Sequence, residues 1–187
     1  MGPVDEVVAL FEERGGEYHG EVVDQRRHAL QCATLARASG VDDQLVGAAL
    51  LHDIGHLVTP DHPDSRSDLA VNDDHHEALG ARWVGARFGS DVARPVSLHV
   101  IAKRYLCTTD PEYMAALSPA SILTQKAQGG LLEPAAVARF EAHPGCADAL
   151  ALRQWDDEAK NPDQETDGIE AFLHVLERLA VVGRTPR

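Results

Sequence analysis

The sequence predicts an all-α fold, and three observations carry that prediction. Helix-capping residues and prolines at first helical positions recur against glycine or Asn-Pro stops, no stretch alternates apolar and polar residues with a strand's period of two, and no internal repeat is present. A chain of 187 residues with 44% hydrophobic content can bury one substantial core and is short for two. One domain over residues 1–187 is therefore expected.

The elements follow from their punctuation. Val4 to Glu13 makes a short amphipathic helix ending at Gly15-Gly16, and about Val22 to Ser39 a second, closed by Gly40 where a C-terminal cap is expected. Asp42 and Asp43 offer N-caps for a third helix through His52. Gly55, Pro60 and Pro63 then open a polar loop to about Asp73, of a length that usually carries a function. Helices are expected over Asp74 to Phe88, with Gly89 past the end, and over Asp91 to Leu106. Asp110-Pro111 and Ser118-Pro119 each place a capping residue before a proline, the start of a short helix. Pro144 to about Lys160, stopped by Asn161-Pro162, and Gly168 to Val182 complete the set, leaving Gly183 to Arg187 as a disordered tail.

Composition narrows the function classes. A formal net charge of -13 opposes a polyanion at long range, which argues against a nucleic-acid partner but still admits a small anion in a local pocket. No run of about 18 apolar residues is present and the N-terminus lacks the basic-then-apolar order of a secretory signal, so a soluble, cytoplasmic protein with no membrane partner is expected. Cys32, Cys107 and Cys146 are odd in number and form no CxxC pair. They read as packing residues in a reducing compartment. Oligomeric state is not legible.

The chemistry is concentrated in six residues: His28, His52, Asp53, His76, His99 and Asp156. Together they offer enough nitrogen and oxygen for two metal ions. The adjacent His52-Asp53 pair matters most, because the histidine can hold one ion while the carboxylate, with two oxygens, bridges to the second. His28 sits in a helix whose inward face also carries Glu21, Gln25 and Cys32, a polar stripe where an ordinary amphipathic helix is apolar. His99 has Lys103 one turn on, and Asp156 has Arg153 one turn back. A ligand sharing its helix face with a cation is a poor arrangement unless an anion binds between them.

Each histidine alone is more often a surface or satisfied core residue than a ligand, and a solvated helix face with i,i+4 pairs is the minor alternative for each ligand-cation pair. Those readings explain the ordered set badly. Of His75 and His76, which point about 100° apart on one helix, His76 is chosen because it stands directly before Glu77 and four residues before Gly80. His56, four residues after His52, should lie beside the metals without holding them. His19, His62, His143 and His174 are read as surface residues.

At the His52-Asp53 doublet the chain resembles the HD-domain superfamily, whose all-α core holds metals through a helix histidine, a His-Asp pair, later histidines and an aspartate. Four further stretches point to a narrower branch: Tyr18-His19-Gly20-Glu21 followed by Gln25 and His28; Leu98-His99-Val100-Ile101-Ala102-Lys103-Arg104-Tyr105-Leu106; Ser118-Pro119-Ala120-Ser121; and Arg153-Gln154-Trp155-Asp156-Asp157. Together these resemble the HD-domain mixed-valent diiron oxygenases of phosphonate catabolism, from about Tyr18 to Lys160. The resemblance implies oxygen-dependent cleavage of the carbon-phosphorus bond of a small 1-hydroxyphosphonate, such as 1-hydroxy-2-aminoethylphosphonate or its trimethylammonium analogue, giving phosphate and a carboxylate. It implies two iron ions, Fe(II)/Fe(III), with His28, His52, Asp53 and Asp156 on one and Asp53, His76 and His99 on the other. Tyr18 would close the second iron at rest and leave when substrate arrives. Glu21 would then secure substrate, and Lys103, Ser121, Arg153 and His56 would receive the phosphonate and the groups around it. Iron itself comes from the resemblance, since imidazole and carboxylate equally suit Mn, Co or Zn.

Two other function classes fit parts of this pattern. A divalent-metal phosphohydrolase acting on a nucleotide or phosphomonoester could use the same ligands to activate water. It has no evident need for a displaceable phenol such as Tyr18 over an oxygen site. A catalytically silent ligand-binding HD module would be expected to have lost ligands, and none is missing here.

Overall fold

A computed structural model describes residues 1–18, 22–59 and 75–181. All regular structure among them is helical, as the punctuation predicts. Helix α1 spans Pro3–Arg14 and α2 spans Gln25–Ala38. The second begins later than expected because the Asp24 side chain accepts the Arg27 backbone N–H and sets the start there. Helix α3, Asp43–Leu51, is capped in the same way by Asp42.

The chain does not enter a loop at Gly55. It turns at Asp53 into a short helix α4, Ile54–Val58, because Ile54 and Leu57 have core to bury. The expected loop from Pro60 to Asp73 lies outside the described residues. Helix α5, His76–Phe88, ends at Gly89, whose φ of 91° reverses the chain into α6, Ser90–Thr109. Asp110 and Ser118 cap the short helices α7, Pro111–Ala116, and α8, Pro119–Ala127. Helix α9, Pro134–Glu141, was not expected; Glu133-Pro134 is its starting signal, and it seats Phe140 against α6. Helix α10 spans Cys146–Glu158, and the last expected helix divides into a 3-10 turn, Ile169–Phe172, followed by α11, Leu173–Leu179.

The main core lies between α2, α3, α6, α10 and α11, with α5 packed along α6. Leu50, Leu51, Leu152, Phe172 and Leu176 are almost wholly buried, each contributing about 1.5–3 kcal/mol of transfer free energy. The approach of α5 to α4 depends on two glycines. A Cβ on Gly55 would stand 2.0 Å from the His76 carbonyl oxygen, and one on Gly80 would stand 3.1 Å from the Gly55 nitrogen. Backbone touches backbone there, which carries the start of α5 into the interior. No helix among the described residues is long and apolar enough to cross a membrane.

Candidate metal centre

Five helical segments deliver the six expected ligand residues to one buried place. His28 comes from α2, His52 and Asp53 from the turn between α3 and α4, His76 from the start of α5, His99 from α6 and Asp156 from α10. All four histidines and Asp156 are buried. His75 instead caps α5 as an exposed residue in the left-handed region, φ 52°.

Asp53 divides the cluster in two. Its Oδ2 lies 3.5 Å from His52 Nε2 and 3.7 Å from His28 Nε2, while its Oδ1 lies 3.5 Å from both His76 Nε2 and His99 Nε2. Asp156 Oδ1 joins the first group, 3.3 Å from His28 Nε2 and 3.9 Å from His52 Nε2. Within each group the two imidazole Nε2 atoms are 3.1 Å apart. Donors about 2.0–2.2 Å from one ion fall about 3.0–3.4 Å from each other, so the spacings approach those of a shared ion on each side.

The proton positions favour the same fit. His28 Nδ1 faces Ala159 O at 2.8 Å, His52 Nδ1 faces Ala49 O at 2.9 Å, and His99 Nδ1 faces Val96 O at 2.7 Å. A carbonyl only accepts, so each Nδ1 carries the hydrogen and Nε2 is the nitrogen left to face inward. Burial opposes charge on His28, but Asp156 and Asp53 raise its pKa, so there a metal would take the place of a proton. Such pairing of the outer ring nitrogen is how a metal-ligating imidazole is oriented. The donor set therefore fits two metal ions bridged by Asp53, one side supplied by four residues and the other by three.

Electrostatics match. Burial opposes charge on Asp53, yet His52, His56, His76 and His99 around it hold its carboxyl well below the usual carboxylate range. Asp156 is likewise held well below that range, against burial, chiefly by Arg153 and then Lys160. Burial, reinforced by His76, pushes His99 down to about 3, and burial lowers His52 as well, so both imidazoles are neutral as ligands must be.

The other expected site residues fall as follows. The His56 ring stacks on His76 with centroids 4.0 Å apart. Lys103 is 5% exposed, and its Nζ donates to Thr124 Oγ1 at 3.1 Å. Burial, with Arg153 nearby, pushes Lys103 down to about 8. Ser121 is buried on α8 one turn before Thr124. Arg153 Nη1 donates to Asp156 Oδ2 at 2.5 Å, so this cation touches an expected ligand directly. Tyr18 is 49% exposed, and Glu21 lies outside the described residues together with His19 and His62. His143 accepts a turn hydrogen bond from Gly145 N, and His174 is exposed; neither joins the cluster.

Sequence reasoning missed three contributors. Thr124 has no signal beyond its place one turn after Ser121. Gln31 follows His28 by one turn, and its amide bonds Asn161 O at 2.6 Å and accepts Asn161 N–H at 3.1 Å, fastening the chain beside the Ala159 carbonyl that holds His28. Tyr113 bonds both Arg153 and Asp157 from another helix.

Comparison with known proteins agrees. The HD domain family matches residues 26–127. The chain is 42% identical over 161 residues to a hydroxymethylphosphonate dioxygenase of Gimesia maris, covering 84% of this chain and 80% of that protein. It is 39% identical over 177 residues to a [1-hydroxy-2-(trimethylamino)ethyl]phosphonate dioxygenase (glycine-betaine-forming) of Leisingera caerulea, covering 94% and 89%. On the matched helical core, the buried cluster around the His52-Asp53 pair and likeness along most of its length, the chain belongs to the HD-domain family, in its phosphonate oxygenase branch.

Proposed function

We propose that this enzyme uses O2 to break the carbon-phosphorus bond of a small 1-hydroxyphosphonate. In the balanced reaction, RCH(OH)PO3(2-) and O2 give a carboxylate, RCO2(-), hydrogen phosphate and one proton. The observation that carries the reading is the division of Asp53 between two histidine pairs, in a chain similar over most of its length to two phosphonate dioxygenases.

The ions are read as iron, held by His28, His52, Asp53 and Asp156 on one side and by Asp53, His76 and His99 on the other. Mixed-valent iron bound there would supply redox activation of O2 and a Lewis-acid hold on the substrate oxygens. The side with fewer protein donors is the one expected to take substrate, with Tyr18 as the group that leaves.

The chain's own residues do the rest. Lys103, charged below about pH 8, attracts the phosphonate, and Thr124 fixes its ammonium by accepting one N–H. Arg153 adds a second cation whose position is set by Asp156 and Asp157. Ser121 on the same side of α8 offers a hydroxyl to a phosphonate oxygen, and His56 lines the His76 side. Glu21 is assigned to the far end of the substrate, where its carboxylate suits an ammonium or trimethylammonium group. Burial of the cluster keeps bulk water from competing for the anion.

The test is direct. Protein loaded with Fe(II) is given hydroxymethylphosphonate, 1-hydroxy-2-aminoethylphosphonate or its trimethyl analogue, and phosphate is assayed with and without O2. Release that requires O2 supports the reading; equal release without it would show a hydrolase.

A further inference from the structure

We propose that Tyr113 and Asp157 are positioning residues, which fix the Arg153 guanidinium and through it leave Asp156 a single oxygen to offer the metal. The proposal rests on the reading of Asp156 as a ligand and goes beyond it. Arg153 is 4% exposed and sits among three acceptors. Its Nε donates to Tyr113 Oη at 2.9 Å and to Asp157 Oδ2 at 3.0 Å, its Nη2 donates to Asp157 Oδ1, and its Nη1 donates to Asp156 Oδ2 at 2.5 Å. Tyr113 Oη closes the ring by donating to Asp157 Oδ2 at 2.7 Å.

Each bond has a distinct consequence. Arg153, Asp156 and Asp157 occupy one face of α10 at i, i+3 and i+4, so they can meet without any other element. A pair of that kind alone leaves both side chains rotamer freedom. Tyr113, brought in from α7, removes it, because its hydroxyl accepts from the arginine and donates to the carboxylate at once, which a phenylalanine cannot do. The fork of Nε and Nη2 is then committed to Asp157, and Nη1 points at Asp156 Oδ2. With that oxygen taken, Oδ1 is the one turned to His28 at 3.3 Å, with Lys160 Nζ more distant from it at 3.9 Å.

The same phenol links the two sides of the pocket. Helix α7 runs into α8, which carries Ser121 and the Thr124 that receives Lys103. Tyr113 therefore ties the anion-receiving helix to the ligand-bearing one. Asp157 also neutralises Arg153 in advance, so the guanidinium acts on substrate through the N–H groups the brace leaves over and less through bare charge.

The test uses full-length Tyr113→Phe and Asp157→Asn proteins, each also built with Arg153→Lys, with anaerobic Mn(II) as a redox-silent probe of the same donor set. Affinity for the two ions is measured by chelator competition with no phosphonate present, alongside the melting temperature of the metal-free protein. Outer partners of this kind are worth about 10–100-fold in metal affinity. The expected result is a loss of that size for one of the two ions in each single variant, and no further loss when Arg153→Lys is already present, since all act through one arginine. Unchanged Mn(II) affinity would overturn the proposal. So would losses that add in the double variants, or a lower melting temperature with metal affinity intact, which would mark Tyr113 as a fastener between helices only. If Tyr113→Phe does not fold, Asp157→Asn decides by the same measurements. A wild type that binds two ions but releases no phosphate would defeat the oxygenase reading and leave this result standing.

Discussion

The Nε2 atoms of His28 and His52 stand 3.1 Å apart while the other nitrogen of each ring faces a backbone carbonyl. A cation between these two inward nitrogens replaces an imidazole–imidazole contact with two bonds to metal, displacing the proton that, against burial, Asp156 favours on His28. Removing metal by chelation should therefore lower the melting temperature, and returning it should restore the loss. At 100-fold excess over the dissociation constant the bound state gains about 2.7 kcal/mol. Equal melting with and without metal would refute the arrangement.

The two neighbouring histidines give a paired prediction. His76 Nε2 lies within 3.5 Å of Asp53 Oδ1, whereas His75 is exposed at the start of α5. His76→Ala should reduce bound metal from two ions toward one. His75→Gly should keep both, because glycine accepts the positive φ that histidine adopts there. Metal analysis of the purified proteins decides, and a His75 variant that loses an ion would reverse the assignment.

Gly55→Ala tests how α5 is brought in. The added carbon would meet the His76 carbonyl oxygen, so α4 and α5 must separate. A loss of roughly 1–3 kcal/mol is expected from such overpacking, with metal content falling on the His76 side more than on the His28 side. A variant as stable and as fully loaded as the wild type would show that the contact is slack.

Lys103 predicts the alkaline limb of the pH profile. Its pKa is lowered to about 8, so the free enzyme carries this charge below that pH and loses it above. Plots of kcat/KM for phosphonate, which report groups of the free enzyme, should fall as pH rises through about 8. Lys103→Arg should move the fall to higher pH, and Lys103→Met should lower kcat/KM with metal content unchanged. Stability has the opposite sign. The folded protein binds fewer protons at Lys103 than the unfolded chain between about 8 and 10.5, so this residue makes stability rise with pH across that window. A limb that stays in place in Lys103→Met belongs to another group.

Tyr18 is the remaining test of the oxygenase cycle. If its phenol closes the second metal at rest, Tyr18→Phe should lose any phenolate-to-iron absorption and consume O2 more readily without substrate, while still releasing phosphate. Normal spectra and oxygen stability in the variant would remove Tyr18 from the site.

The sequence by itself determined most helices and the roster of candidate ligands. Caps at Asp24, Asp42, Asp110 and Ser118 act on backbone two or three residues away, so their effect is written locally. Helix α4 and helix α9 escaped because each is short and exists to seat a few apolar residues, Ile54 and Leu57 in one and Phe140 in the other, on surfaces made by distant elements. The family resemblance already implied how the ligand residues divide, but only the tertiary structure decided what produces that division. Asp53 stands between the two histidine pairs because α2 and α10 lie on one side of it and α5 and α6 on the other, so one of its two equivalent oxygens faces each pair. It also decided what Arg153 does. The spacing to Asp156 is visible in sequence, but the direction of a guanidinium depends on every acceptor around it, and the one that completes the set, Tyr113, arrives from another helix 40 residues away.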